Sequence, residues 1–212
     1  MKKQLPRLYL ITDRHQVPKN SNLLKSLKEL LKAGVKMIQL REKDLSAAEL
    51  YPLARDLRLL TQDYGSLLLI NDRVDLALAI DADGVHLGQH SLPIEAARTL
   101  LGKQKIIGVS THSLAEVNMA QKQGADFVTY GPVYYTPSKA AYGDPVGVTA
   151  LKLSCQQCRN LPVYALGGLK PNNVLDTLQT GAYGIAVISA LLAEPSPVLA
   201  YQKLTREIQK VN

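Results

Sequence analysis

Three stretches concentrate the side chains that could do chemistry. Gln39-Leu40-Arg41-Glu42-Lys43-Asp44 alternates an amide and two cations with other residues, and Asn71-Asp72-Arg73 follows the apolar run Leu67–Ile70 directly. Thr136, Ser138 and Lys139 lie in a long stretch between Gly131 and Gly147. On an extended chain residues two apart share a face, so Gln39, Arg41 and Lys43 would point together. Two cations and an amide suit a diphosphate carried on a polar ring; the same residues also describe an ordinary solvated strand end. Beside a diphosphate, Asp72 would serve as a Mg²⁺ ligand, because Mg²⁺ typically takes about one or two carboxylates plus phosphate oxygens and water. In isolation, Asn71-Asp72 reads equally well as a turn.

Gly167-Gly168 and Ser189 suit a phosphate bound by backbone N–H groups, since glycine permits close approach. A tight turn would need the same glycines. A loop longer than about 12–15 residues is commonly functional, so Gly131–Gly147 reads as a lid. Among the histidines, His112 could do acid–base work or simply satisfy a helix start. His86, inside an apolar run, reads as structural, while His90 falls in a loop and His15 looks incidental. No His/Cys cluster supports zinc, and no G-x-S-x-G supports a serine hydrolase.

The elements that must position these residues are short apolar runs separated by amphipathic segments. Strands are expected at Leu8–Thr12, Met37–Arg41, Leu67–Asn71, Gly84–Leu87, Ile106–Ser110, Phe127–Tyr130, Val163–Leu166 and Gly184–Ile188. Their apolar character without alternation is that of parallel strands covered on both faces. Leu23, Leu27, Leu30 and Leu31 recur at helical spacing, as do Leu50, Leu53, Ala54, Leu57 and Leu60. Ser113 with Glu116 predicts a capping box opening the helix Leu114–Gln123. Gly34, Gly124 and Gly181 mark helix ends before strands. This βα alternation predicts an α/β fold, a (β/α)₈ TIM barrel over 1–212 as a single domain, in which chemistry gathers just after the strand ends. A doubly wound sheet competes, but no G-x-G-x-x-G follows the first strand. The expected strand ends lead into Thr12-Asp13-Arg14, Gln39–Asp44, Asn71–Arg73, Gly88–Ser91, Ser110–Ser113, Gly131–Lys139, Gly167–Leu169 and Ser189-Ala190.

Composition narrows the partners. Hydrophobic residues make up 46% and charged residues 20%, which excludes a disordered or fibrous chain. No apolar run nears the roughly 18 residues of a membrane span, and Met1–Pro6 lacks the apolar region of a secretory signal. A soluble, cytoplasmic protein is expected. A net charge of +7 favours anionic partners, and with no Trp and one Phe for base stacking, phosphorylated metabolites rank ahead of nucleic acid. Cys155 and Cys158 form one C-x-x-C in a helical stretch and read as two reduced, ordinary thiols.

Taken together, the motifs resemble the thiamine phosphate synthase family. Tyr9-Leu10-Ile11-Thr12-Asp13, Gln39–Asp44, Ile70–Asp75, Gly84–Gln89, Gly108–Ser113, Gly131–Lys139, Ala165–Gly168 and Val187–Ala190 carry the likeness along nearly the whole chain, in order. The resemblance implies a (β/α)₈ barrel that joins hydroxymethylpyrimidine diphosphate to hydroxyethylthiazole phosphate, releasing pyrophosphate and giving thiamine phosphate. It further implies that Gln39, Arg41, Lys43 and Asn71 hold the pyrimidine diphosphate, that Asp72 ligates Mg²⁺, and that Ser110 contacts the pyrimidine. Lys139 would meet the departing pyrophosphate, and Thr136, Ser138, Gly168, Ile188 and Ser189 the thiazole phosphate. Ser138 replaces the family's usual Thr and keeps the hydroxyl.

One position departs from the pattern. Where the family usually carries a second Mg²⁺-ligating Asp, this chain has Ser91, which cannot supply the charge a hard cation favours. That leaves a second expectation, a thiazole tautomerase resembling TenI, which lacks the metal carboxylates and would use His112 as acid–base catalyst. The intact Asn71-Asp72 and Arg41/Lys43 favour the synthase. A third expectation, a non-catalytic sensor of thiazole phosphate, ranks last. Oligomeric state stays open, a homodimer included.

Overall fold

The structure, a computed structural model, describes residues 4–137 and 144–211. Eight parallel strands close into a barrel in chain order: β1 (Leu8–Ile11), β2 (Met37–Leu40), β3 (Leu67–Asn71), β4 (Gly84–Leu87), β5 (Ile106–Thr111), β6 (Phe127–Tyr130), β7 (Val163–Leu166) and β8 (Gly184–Val187). The ring shuts where Leu8–Leu10 pair with Ile185–Val187. Helices alternate with the strands: α1 (Leu23–Ala33), α2 (Ala47–Asp63), α3 (Val74–Ala79), α4 (Ile94–Leu101), α5 (Leu114–Lys122), α6 (Gly147–Gln157), α7 (Pro171–Gln179), the short α8 (Ser189–Leu192) and α9 (Pro197–Gln209).

Parallel strands buried on both faces supply two cores. Outward residues such as Leu10, Ile38, Leu68, Ile70, Val85 and Ile107 pack under the helices. Inward residues, among them Tyr9, Met37, Leu69, Phe127 and Tyr164, fill the barrel's interior. There Tyr9, Phe127 and Tyr164 meet edge to face, with centroids 5.3–5.9 Å apart. The chain's beginning closes the lower end: Tyr164 Oη donates to the Pro6 carbonyl at 2.5 Å, Tyr183 Oη to the Leu5 carbonyl, and the Ile185 N–H to Arg7 O at 2.9 Å.

The helices follow their leucine spacing. α1 buries Leu23, Leu27, Leu30 and Leu31, starts where Asn22 accepts the Lys25 N–H at 2.9 Å, and ends at Gly34 with φ +112°. One local expectation changes. The complete capping box opens α2, between Ser46 and Glu49. At α5 only half of the predicted box forms: Ser113 Oγ accepts the Glu116 N–H, while Glu116 Oε2 takes the His112 N–H at 2.6 Å. The carboxylate reaches one residue beyond the cap. Strand ends also shift by one residue, so Thr12, Arg41 and Ile188 begin loops and Thr111 joins β5.

No helix among the described residues is long and apolar enough to cross a membrane. Cys155 and Cys158, at the end of α6, are buried free thiols, and burial pushes the Cys155 thiol up to about 11. It has no reactive character.

Candidate active site

The upper floor of the barrel interior is polar and continuous. Gln39 of β2, 1% exposed, donates from Nε2 to Tyr9 Oη at 2.8 Å. That hydroxyl lies 3.4 Å from His86 Nδ1, and His86 Nε2 lies 3.0 Å from Ser110 Oγ and 3.4 Å from Thr129 Oγ1. Two residues expected to meet the substrate, Gln39 and Ser110, are thus linked through two that sequence reasoning left out of the site, Tyr9 and His86. Burial, reinforced by the charge of Arg41, holds the His86 pKa down to about 3, so the imidazole is neutral.

Arg41 opens the loop after β2. Its N–H donates to Thr12 Oγ1 at 2.8 Å, which ties it to the end of β1. The guanidinium forms no ion pair among the described residues, and its field reaches His86. Lys43, two residues on, is exposed. The predicted alternation is therefore carried by a loop rather than a strand, with Gln39 below it in the floor. The intervening acids turn elsewhere. Glu42 is 4% exposed, and its Oε2 accepts the Arg14 N–H at 3.0 Å and Nη1 at 3.3 Å. Asp44 receives both Arg14 Nη atoms at 2.5 Å and His15 Nε2 at 2.9 Å, and the Arg14 contact holds its carboxyl well below the usual range. His15, read as incidental, belongs to this brace between the first two loops.

Strand register sets Arg41 level with Asn71, since Leu40 pairs with Ile70. Asn71 ends β3 half-buried beside His86. Asp72 follows with φ +66°, a left-handed conformation uncommon for any residue but glycine, fixed by its N–H donating to His86 O at 2.9 Å. Its carboxylate accepts no hydrogen bond from the described residues. The neighbouring Asp75 is occupied by Arg73, at 2.8 and 2.6 Å. Asp72 and Ser91 line one groove of about 560 Å³ with Arg73 and His90. Ser91 Oγ accepts the Gly88 N–H at 2.7 Å, so it shapes the loop after β4. Among the described residues no three His, Cys, Asp or Glu side chains gather to hold a metal. A single accessible carboxylate fits Mg²⁺ shared with a diphosphate, which needs few protein ligands; it would not fit a tight all-protein site.

Beyond β5, His112 Nδ1 donates to the Gly131 carbonyl at 2.5 Å, which leaves Nε2 outside this bond. His112 and Ser110 line a smaller groove of about 240 Å³ with Glu116. The loop after β6 leans on the loop after β7: Val133 and Tyr134 donate their N–H groups to Leu166 O and Gly167 O, at 2.8 and 3.1 Å. Gly167 and Gly168 both take positive φ, +99° and +64°. A Cβ on Gly168 would meet Tyr135 O at 2.6 Å, so glycine is required there by space as well as conformation. Thr136, half-buried, follows this contact. Ile188 caps the short helix α8, and Ser189 begins it. The first-turn N–H groups of a helix have no intrahelical partner, and a short helix after the eighth strand is a common phosphate position in barrels. Ser138 and Lys139, and the middle of the expected lid, lie outside the described residues.

The structure thus brings Gln39, Arg41, Asn71, Asp72 and Ser110 onto neighbouring strand tips, β2 to β5, and Gly168, Ile188 and Ser189 onto β7 and β8. Ser91 and His112 line grooves at the edge. Sequence reasoning placed Thr12, Arg14 and Glu42 in strand-end motifs without giving them a role, and left Tyr9, His86 and Thr129 out of the site. The regular Arg-Glu-Lys-Asp alternation was an available signal for the brace, and the lone histidine of the apolar run Gly84–Leu87 was one for the buried polar floor.

Comparison with known proteins agrees along the whole barrel. The family model described as thiamine monophosphate synthase matches residues 8–191. A putative thiamine-phosphate synthase of Geobacter sulfurreducens is 53% identical over 190 residues, 90% of this chain and 88% of that protein. A thiamine-phosphate synthase of Clostridium novyi is 44% identical, covering 88% of this chain and 90% of its own length. A solved structure of thiamine phosphate pyrophosphorylase from Pyrococcus furiosus superposes with a TM-score of 0.87 at 38% identity, over 97% of this chain and 96% of that one. With this match over most of the barrel and the motif residues at its strand tips, the chain belongs to the thiamine monophosphate synthase family.

Proposed function

We propose that this protein is a thiamine-phosphate synthase, joining hydroxymethylpyrimidine diphosphate to hydroxyethylthiazole phosphate with release of pyrophosphate. The observation that carries this reading is the pairing of tips at β2 and β3. An Arg41 guanidinium with no carboxylate partner among the described residues stands level with Asn71, next to an Asp72 carboxylate that accepts no hydrogen bond from those residues either. A cation and a hydrogen-bond-free carboxylate side by side suit a diphosphate that brings its own Mg²⁺.

In this reading Gln39 and Ser110 orient the pyrimidine from below, and Arg41, Lys43 and Asn71 hold the diphosphate. The bond between the pyrimidine's methylene carbon and the diphosphate oxygen breaks, its electron pair leaving on pyrophosphate. Arg41, Lys43 and Lys139 stabilise the charge that develops there. Mg²⁺, held by Asp72 with diphosphate oxygens and water, would supply further Lewis-acid stabilisation. The thiazole nitrogen then bonds to the cationic carbon, positioned through its phosphate by Gly168, Ser189, Thr136, Ser138 and the backbone at Ile188. The loops exclude water that would otherwise trap the cation. Phosphorylated substrates and reduced thiols go with a cytoplasmic site of action.

One observation favours a second reading. His112, oriented through Gly131 with Nε2 available, suits acid–base isomerisation of a thiazole carboxylate phosphate. The two are separated by incubating the protein with both synthase substrates and Mg²⁺ while following thiamine phosphate, and with the thiazole carboxylate phosphate alone followed by NMR. Formation of thiamine phosphate is expected. Isomerisation abolished by His112→Ala, without thiamine phosphate formation, would replace the synthase reading.

A further inference from the structure

We propose that His86 is a positioning residue that fixes the hydrogen-bond direction across the barrel floor, so that the site reads an aminopyrimidine edge and rejects an oxopyrimidine one. The proposal rests on the synthase reading for its substrate. It concerns a side chain that would not itself touch that substrate.

The chain Gln39–Tyr9–His86–Ser110 can run in two directions, and each presents a different face upward. In this structure the Gln39 atom 2.8 Å from Tyr9 Oη is the amide nitrogen, which can only donate. The phenol's own hydrogen is then directed to His86 Nδ1 at 3.4 Å. A neutral imidazole with Nδ1 accepting carries its hydrogen on Nε2, facing Ser110 Oγ at 3.0 Å and Thr129 Oγ1 at 3.4 Å. Ser110 Oγ accepts there, which releases its hydroxyl hydrogen for a ligand. Gln39 Oε1 accepts no hydrogen bond from the described residues. The floor therefore offers one acceptor and one donor. A 4-aminopyrimidine presents the complement, an exocyclic N–H beside a bare ring nitrogen. The opposite direction would offer the Gln39 NH₂ and a Ser110 lone pair, the complement of a ring N–H beside an oxo group.

The imidazole is held rigidly enough to enforce this. It packs against Gly108, where a Cβ would lie 2.7 Å from Nδ1 and 2.3 Å from the Phe127 ring. The rings of Tyr9 and Phe127 flank it at 5.7 and 5.6 Å. The groups facing it are Tyr9 from β1, Ser110 from β5, and Phe127 and Thr129 from β6, with the positive charge of Arg41 above.

The direct test is the tautomer of His86 in the intact, substrate-free protein, read from long-range ¹H–¹⁵N NMR correlations at pH 8. An Nε2–H tautomer is expected. An Nδ1–H tautomer overturns the proposal. The functional test compares kcat/KM for the natural diphosphate with that for its 4-oxo analogue. His86→Leu should cut the preference for the amino substrate by about tenfold, the cost of one oriented hydrogen bond. His86→Gln, which keeps an N–H near the Nε2 position, should retain most of it. Unchanged preference in His86→Leu overturns the proposal. Because the tautomer is measured without substrate, it decides the matter even if His86→Leu does not fold or the wild-type protein makes no thiamine phosphate. That last result would strike the synthase reading alone.

Discussion

Asp72 allows a structural role to be separated cleanly from a chemical one. It sits at φ +66°, where an ordinary L residue pays roughly 1–2 kcal/mol, Asp and Asn somewhat less, and glycine almost nothing. Glycine in turn adds roughly 0.5–1 kcal/mol of unfolded-chain entropy to be lost on folding. Asp72→Gly should therefore leave stability within about 1 kcal/mol of wild type, Asp72→Asn should leave it unchanged, and Asp72→Ala should lower it by about 1 kcal/mol. All three remove the carboxylate, and each should reduce kcat/KM by about 10²–10³, the scale of losing one preorganised electrostatic group at a developing charge. Urea denaturation gives the first ordering, and thiamine phosphate formation across a Mg²⁺ titration gives the second. Wild-type turnover by Asp72→Asn or Asp72→Gly at the same Mg²⁺ would reduce the residue to a turn former. A loss above about 2 kcal/mol in Asp72→Gly would mean that the carboxylate holds the fold together, against the strain argument.

Four further outcomes follow from the geometry. Ser91→Asp should keep the contact to the Gly88 N–H, since a carboxylate oxygen can accept it as the hydroxyl does; the Mg²⁺ concentration for half-maximal turnover should fall. Gly168→Ala forces a Cβ against Tyr135 O, and should cost about 1–3 kcal/mol and raise KM for the thiazole phosphate more than for the pyrimidine diphosphate. Arg14→Met strips the Nη1 hydrogen bond from the buried Glu42; about 1–3 kcal/mol of stability should go, with KM for the diphosphate substrate rising as the Arg41 loop loosens. His86 has a folded pKa of about 3 against about 6.5 unfolded, so between these values the unfolded chain binds more protons and stability falls as pH drops. Urea denaturation should show wild type losing about 2 kcal/mol more than His86→Gln between pH 7 and pH 5, at about 1.4 kcal/mol per pH unit below 6.5.

The barrel was legible because parallel strands buried on both faces read as unbroken apolar runs, and helices between them as leucine stripes. The strand tips were legible because this architecture collects chemistry there. What escaped depends on partners far apart in sequence. An apolar run around His86 says only that the side chain is inside; its role comes from Tyr9 and Ser110, 77 and 24 residues away. Glu42 stands in a charged loop and reads as solvated, yet it is buried against Arg14 from the preceding loop. Glu116 has the spacing of a capping box, but the carboxylate has reach enough to choose the His112 N–H instead. The positive φ of Asp72 is a backbone property fixed by its pairing to His86, which no composition of the turn encodes.

The seam between β1 and β8 has a consequence for how the chain is made. Leu8–Leu10 are made long before Ile185–Val187, the strand that supplies their second neighbour. Until then the growing molecule is an open sheet with two bare edges, the form most prone to sticking to other nascent chains. Ring closure is the step at which that exposure ends.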